Sequence, residues 1–401
     1  MTEIAARIPV AVLRPKHVAV GALALAGLAF WLALPPVHAR SPAVPVVVGA
    51  VATAVAALAV WQRAGRIGWA ALVAAPVAGG LGYLATRSSV GNLDDVFTWS
   101  TLIASMLVFA TPLTFGAIGG LYSERSGVVN IGLEGMMLMG AFWAIWGADR
   151  TDSWQLGLLI GMASGGLMGL LHAFFSVHLR ADQIVGGTAI NFLALGITGY
   201  FFVQLYGGQN IPAGVPRIPN VNFHIRDVYF VGPAFGRLNL MTWLAFALVV
   251  LTYVVVFKTP IGLRLRSVGE HPRAADTVGI SVYGVRYGAV VLSGMLAAAG
   301  GAYLSIGFVG TFNENMTGGR GFIALAALIF GKWRPFGAFG AALLFGLSTA
   351  IAFRMQVYSD SLPGIDVLIQ ALPYALTLIA VAGVIGRSVP PAAVGRPYKK
   401  Q

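Results

Sequence analysis

Apolar runs about as long as a bilayer is thick recur from His17 to Gly386, with one substantial polar interruption, and this recurrence limits what the chain can fold into. A helix crossing a membrane needs about 20 mostly apolar residues. Stretches of this kind lie near 18–34, 44–61, 66–84, 98–121, 127–147, 154–177, 183–206, 240–257, 284–306, 320–333, 336–353 and 369–386. Lipid offers no hydrogen-bond partner to an exposed backbone, so the stretches read as helices. The expected fold class is all-α: a polytopic integral membrane protein with about 10–12 transmembrane helices. Two stretches do not read as simple spans, because 320–333 is short and 127–147 opens on Asn130 and contains Glu134. Broken or re-entrant helices have this look.

Composition closes the soluble alternative. Only 10% of the 401 residues are charged and 57% are apolar, whereas a soluble domain carries roughly 25% charged residues. The net charge of +12 would suggest a nucleic-acid partner in a soluble protein. Here the basic residues sit in short loops, so membrane lipid is the expected surrounding and no nucleic acid is expected. With no cysteine, disulfides, thiolate metal sites and cysteine nucleophiles are excluded. Arg14, Lys16 and the later Val37-His38-Ala39 resemble a secretory signal. The run from Val18 to Leu34 exceeds the roughly 7–15 residues of a signal core and reads instead as the first transmembrane helix.

Lys and Arg accumulate in cytoplasmic loops, and the densest block holds Lys258, Arg264, Arg266, Arg273 and Arg286. Placing it inside also places Arg7, Arg14, Lys16, Arg63, Arg66, Arg180, Arg387, Lys399 and Lys400 inside, with both termini cytoplasmic. The outer loops then carry Asp94, Asp95, Asp149, Asp152, Asp360 and Asp366. The longest of them, Gly207 to Asn239, is broken by Pro212, Pro216, Pro219 and Pro233. Its Phe223, Tyr229 and Phe230 read as interfacial aromatics or as a docking surface. The first three stretches lack intramembrane polar groups, which divides the chain into an accessory bundle (1–96), a functional core (97–390) and a cytoplasmic tail (391–401).

Within the core, Gly157, Gly161, Gly165 and Gly169 fall on one helical face and predict close helix packing. Asn130 and Glu134 share a face in a segment that must enter the membrane, where an ionisable group is costly. They read either as a hydrogen-bonded brace or as the lining of a solute path, and so does Asn191. The polar stretch Thr311 to Arg320 offers Asn313 and Asn315 to a solute, or is a solvated loop capping the next helix. A weak internal similarity has Ser126 to Asn130 and Gly318 to Phe322 each opening a helix, after helices ending at Gly119-Gly120 and Gly300-Gly301. Repeated halves of this kind are common in transporters.

The loop from Thr259 to Ile280 has a basic lead-in, a turn from Gly269 to Pro272, and a short helix from Arg273 that stops at Gly279. With Ala274, Ala275 and Val278 on its accessible side, that helix suits a groove on a partner protein. This loop, the run Ser123-Glu124-Arg125-Ser126-Gly127-Val128-Val129-Asn130-Ile131-Gly132-Leu133-Glu134-Gly135 and the later Gly319-Arg320-Gly321-Phe322-Ile323-Ala324-Leu325-Ala326 together resemble the permease subunits of bacterial ABC importers for nucleosides and simple sugars. The likeness covers roughly Phe97 to Gly386, and the first three helices extend beyond the shorter family members. The resemblance implies a multi-pass protein of the bacterial plasma (inner) membrane, paired with a second, similar permease chain as a heterodimer and fed by an external solute-binding lipoprotein. It implies coupling to a separate ABC ATPase through loop 258–284, with Gly269, Glu270, Pro272, Ala274, Ala275 and Gly279 at the contact. ATP and Mg are then bound by the ATPase, and this chain binds no cofactor.

Other classes have their own expectations. Gly331-Lys332 is followed by Trp333 and no glycine lies five residues earlier, so the phosphate-loop pattern fails. An intramembrane enzyme calls for clustered Asp, Glu or His, and the 6 His residues are scattered. An ion-coupled secondary transporter calls for intramembrane carboxylates, for which Glu134 is the candidate. Within the importer reading, ribose-like sugars and branched-chain amino acids remain alternatives to nucleosides.

Overall fold

The computed structural model describes residues 15–32, 41, 43–87, 99–208, 214–222, 231–356 and 388–400. Every apolar stretch except the last coincides with a helix. The last, 369–386, lies outside the described residues, as do Phe223, Tyr229 and Phe230 of the long loop. The chain divides into two compact units.

In the first unit, α1 (Pro15–Trp31), α2 (Ala43–Trp61) and α3 (Arg66–Arg87) pack together. Their seam is built from alanine in successive layers: Ala19 with Ala59 and Ala64, Ala22 with Ala56 and Ala71, Ala26 with Ala52 and Ala75. Larger side chains such as Val47, Val51, Trp69 and Val73 are exposed. This inversion of the soluble pattern has a physical reason. Lipid tails are as apolar as a Leu side chain, so the interface is chosen by how closely backbones approach, and small residues win.

The second unit holds α4 (Trp99–Arg125), α5 (Leu133–Thr151), α6 (Trp154–Ala173, continued by a wider π-turn over Phe174–His178) and α7 (Gln183–Tyr206). A short antiparallel ribbon follows, β1 (Asn220–Asn222) against β2 (Arg237–Asn239), enclosing the one-turn α8 (Val231–Phe235). Then come α9 (Leu240–Lys258), α10 (Pro260–Glu270), α11 (Pro272–Thr277), α12 (Val282–Ala302, with a π-turn over Tyr303–Val309), α13 (Arg320–Phe330) and α14 (Pro335–Gln356). Among the described residues, 7 helices are long and apolar enough to cross a membrane. The protein is therefore a polytopic all-α membrane protein. At 11 residues, α13 is about 16 Å long, half the roughly 30 Å hydrocarbon core.

The centre of this unit is α12 packed against α5 and α6. The glycine stripe of α6 makes this possible. Gly157 and Gly161 face Ala144 of α5, and Gly165 and Gly169 face Gly294 and Val290 of α12. Where the sequence predicts helix ends at Gly119-Gly120 and Gly300-Gly301, both helices run straight through. The glycines serve approach instead: a Cβ on Gly119 would come within 2.7 Å of the Ser293 carbonyl oxygen. Nor does Ser126 to Asn130 open a helix, because α5 starts only at Leu133 and the chain before it is in turns and irregular backbone.

Candidate functional site

Non-helical backbone from Ser126 to Gly132 lies within the protein, and its N–H and C=O groups have no ladder to join. Side chains from neighbouring helices take that role. The Val129 N–H donates to Gln183 Oε1 at 2.7 Å, and the Val129 carbonyl lies 2.9 Å from His172 Nε2. Ser123 Oγ donates to the Val128 carbonyl at 2.7 Å. Asn191 clamps the helix start from both sides, accepting the Gly135 N–H at 2.8 Å and donating to the Ile131 carbonyl at 3.1 Å. Asn130 donates through Nδ2 to Ser293 Oγ of α12 at 2.9 Å. Its Oδ1 is buried with no partner among the described residues.

Glu134, in the first turn of α5, accepts the Gly319 N–H at 2.8 Å and the Gly321 N–H at 2.6 Å. These are orphan donors at the start of α13, where the helix end also carries partial positive charge. A carboxylate from a different helix thus caps the half-length helix with two charge-assisted bonds. Gly319 sits at φ +84°, and a Cβ on Gly321 would meet the Glu134 backbone. Glycine at 321 allows the close approach, and glycine at 319 the left-handed backbone that precedes it.

The structure therefore brings Asn130, Glu134 and Asn191 together around the entry of α5. It leaves Asn313 and Asn315 apart from them, exposed on the loop before α13. That loop does not supply a side-chain cap for α13. Its Arg320 folds back to donate to the Met316 and Thr317 carbonyls, each at 3.0 Å.

The loop between α9 and α12 is more structured than its sequence pattern predicts. Its basic lead-in is the amphipathic helix α10, started by Thr259, whose Oγ1 accepts the Gly262 N–H at 3.3 Å, and by Pro260 in the first turn. The Thr-Pro pair was the available signal. Gly269, in the last turn of α10, lies where a Cβ would collide with the Arg125 carbonyl, Glu270 is exposed, and Pro272 starts α11. Gly279, at φ +81°, turns the chain after α11. Ala274 and Val278 are exposed as expected, but Ala275 is buried against Val268, Val282 and Tyr398. One residue along a helix turns the side chain by about 100°, enough to move it from the open face to the packed one. Ile261 and Leu263 add exposed apolar surface on α10.

Arg286 also departs from expectation. It is not a solvated loop charge but a fully buried residue of α12, donating from Nε to the Ser126 carbonyl at 3.2 Å. A second buried contact had no local signal. Trp333 donates from its indole to Glu124, and its carbonyl receives Arg125 Nη2 at 2.7 Å. Arg125 and Arg266 both stack over Phe257. Among the described residues no group of His, Asp and Glu is placed to hold a metal ion.

With this geometry in hand, similarity to known proteins defines the class. The family model for the branched-chain amino acid transport system / permease component matches residues 102–381. The chain belongs to that family: it is a permease subunit of an ABC importer, not an enzyme. It is 42% identical over 324 residues to the guanosine ABC transporter permease protein NupQ of Bacillus subtilis (strain 168), covering 77% of this chain and 99% of that relative. The nucleoside ABC transporter permease protein NupC of Lactococcus lactis subsp. cremoris is 41% identical over 326 residues, with 77% and 99% covered. A second Bacillus subtilis protein, the guanosine ABC transporter permease protein NupP, is 25% identical over 283 residues, with 67% and 80% covered. No solved structure is significantly similar to the chain.

Proposed function

We propose that this chain is the permease of an ATP-driven nucleoside importer in the bacterial plasma membrane, with both termini cytoplasmic. The observation that carries the solute class is identity above 40% along essentially the whole length of two relatives named for guanosine and nucleosides. The working assembly is a heterodimer with a second permease, since one bacterium holds two guanosine permease proteins that resemble this chain to very different degrees. An external binding lipoprotein delivers the solute, and a separate ATPase binds ATP and Mg. The ATPase seats on α10 and α11, where Ala274, Val278, Ile261 and Leu263 offer an apolar surface with no bilayer to enter. Gly269, Glu270, Pro272, Ala275 and Gly279 shape that surface from beneath and at its ends. Residues 1–96 form an accessory bundle, 97–390 the transporting core and 391–401 the tail.

Transport proceeds by alternating access, with ATP driving the ATPase between states that hold α10 and α11 differently. Only such differential affinity shifts a conformational equilibrium. On the solute path, Asn130 retains an acceptor with no partner among the described residues and Asn313 and Asn315 retain exposed amides, while Glu134 and Asn191 hold the frame.

Uptake of radiolabelled guanosine, uridine and adenosine in cells lacking this chain tests the solute class, with ribose and leucine run in parallel. Selective loss of nucleoside uptake is expected; loss of only ribose or leucine uptake would refute nucleosides as the solute. Ala274→Arg tests the docking face. Burying an unpaired charge at an interface costs about 2 kcal/mol or more, so co-purified ATPase should fall by at least roughly tenfold while the permease still inserts. Undiminished co-purification would remove α11 from the interface.

A further inference from the structure

We infer that the C-terminal tail is a strap that positions the coupling helices, with Tyr398 as its anchor. The inference rests on the reading of α10 and α11 as the ATPase seat and goes beyond it. A segment with no helix or strand of its own is ordinarily mobile unless tied down, and ordering one costs conformational entropy. This one is tied at five places. The Ala393 N–H donates to the Gly269 carbonyl at 2.9 Å, and the Ala392 N–H donates to Glu270 Oε2 at 3.1 Å. The Gly395 N–H donates to the Gly127 carbonyl at 3.2 Å, and the Arg396 carbonyl accepts Arg286 Nη1 at 3.1 Å. The Tyr398 hydroxyl donates to Asp276 Oδ2 at 2.8 Å, and its ring meets Tyr283 edge-on at 5.7 Å.

These contacts matter because of what α11 lacks. A helix of 6 residues is too short to hold itself together, and Ala275 is its one buried side chain. Tyr398 packs on Ala275 and bonds to Asp276, so the tail fixes the helix from its inner side and leaves Ala274 and Val278 open to a partner. The same short tail continues to the turn at Gly127 and to Arg286, whose Nε holds the Ser126 carbonyl. That turn leads directly into Val128 to Asn130 at the entry of α5. The strap thus joins the docking helix to the segment whose backbone is held by Gln183, His172 and Asn191. Arg286 gains from it as well, since the Arg396 carbonyl gives a buried guanidinium a partner while its Nη2 has none among the described residues.

The test uses the full assembly with its ATPase and second permease in liposomes, reading guanosine moved and ATP hydrolysed. In Tyr398→Ala, guanosine moved per ATP is expected to fall about fivefold, the factor for one hydrogen bond and its packing, with the ATPase still bound. Tyr398→Phe, which keeps the ring, should lose less. Hydrogen exchange of residues 272–280 in the same assembly gives a measure independent of solute. It should quicken by about fivefold in Tyr398→Ala while the amides of α2 do not change. An unchanged transport ratio, equal losses of hydrolysis and uptake, or unchanged exchange would each overturn the strap. Ala274→Arg, run alongside, separates the two readings. If it keeps its ATPase, the docking assignment fails; if it loses the ATPase while Tyr398→Ala behaves as wild type, only the strap fails.

Discussion

Glu134→Ala is expected to destabilise the core by about 3 kcal/mol, the order of two hydrogen bonds to a charged group, and to abolish uptake. The carboxylate is buried and both its oxygens are committed, one to the Gly319 N–H and the other to the Gly321 N–H. Removing it frees two amides at the start of α13, and the Gly321 N–H among them is buried, where an unmade bond is costly. It also cuts the link between the α5 entry and a helix too short to span the membrane alone. Glu134→Gln retains a carbonyl acceptor on one side and should lose about half as much. Thermal melting of the detergent-solubilised protein, followed by tryptophan fluorescence, reads both variants. An alanine variant that melts with the wild type would show that the cap contributes nothing.

Gly301→Ala should be the more damaging single methyl. A Cβ on Gly301 would collide with the Met137 carbonyl oxygen of α5, and one on Gly140 would collide with Ala298 of α12. Both contacts lie in the central packing, where the obstacle is backbone and cannot rotate away. Overpacking of this kind costs about 3 kcal/mol, at the upper end of its usual range, and Gly140→Ala should behave alike. The control lies on the same helix: Gly288 has nothing within 4 Å of its Cβ position. Gly288→Ala should be neutral or stabilising by about 0.5 kcal/mol, since alanine has less backbone freedom to lose. The amount of each variant in the membrane fraction and its melting temperature check the contrast. Equal behaviour of Gly301→Ala and Gly288→Ala would refute the close approach of α5 and α12.

Much of this was legible before any tertiary contact was known. Helices in lipid depend on local apolar length, and the stretches near 154–177 and 183–206 have almost the same bounds in sequence and structure. The four glycines of α6 were readable as a packing face because their spacing alone puts them on one side. The breaks were readable too, since Asn130 and Glu134 interrupt one stretch and 320–333 is too short. Other features left weaker traces. The amphipathic α10 was hidden among its arginines, although Thr259-Pro260 announced it. Ala275 was placed on the wrong face because a helix of 6 residues has too few turns for a periodicity to show its inner side. The Trp333 contact with Glu124 had no trace in either segment.

The sequence by itself determined that the chain is an all-α, multi-pass protein with a polar break near Glu134 and a short helix after Gly269. Those properties follow from the length and spacing of neighbouring residues, and lipid as a solvent makes them nearly decisive. Only the tertiary structure decided that Glu134 caps α13 from 185 residues away, that Arg286 is buried, and that the tail returns to hold Asp276. A hydrogen bond between distant segments depends on where packing brings two backbones together, and neither segment carries a local pattern that names the other.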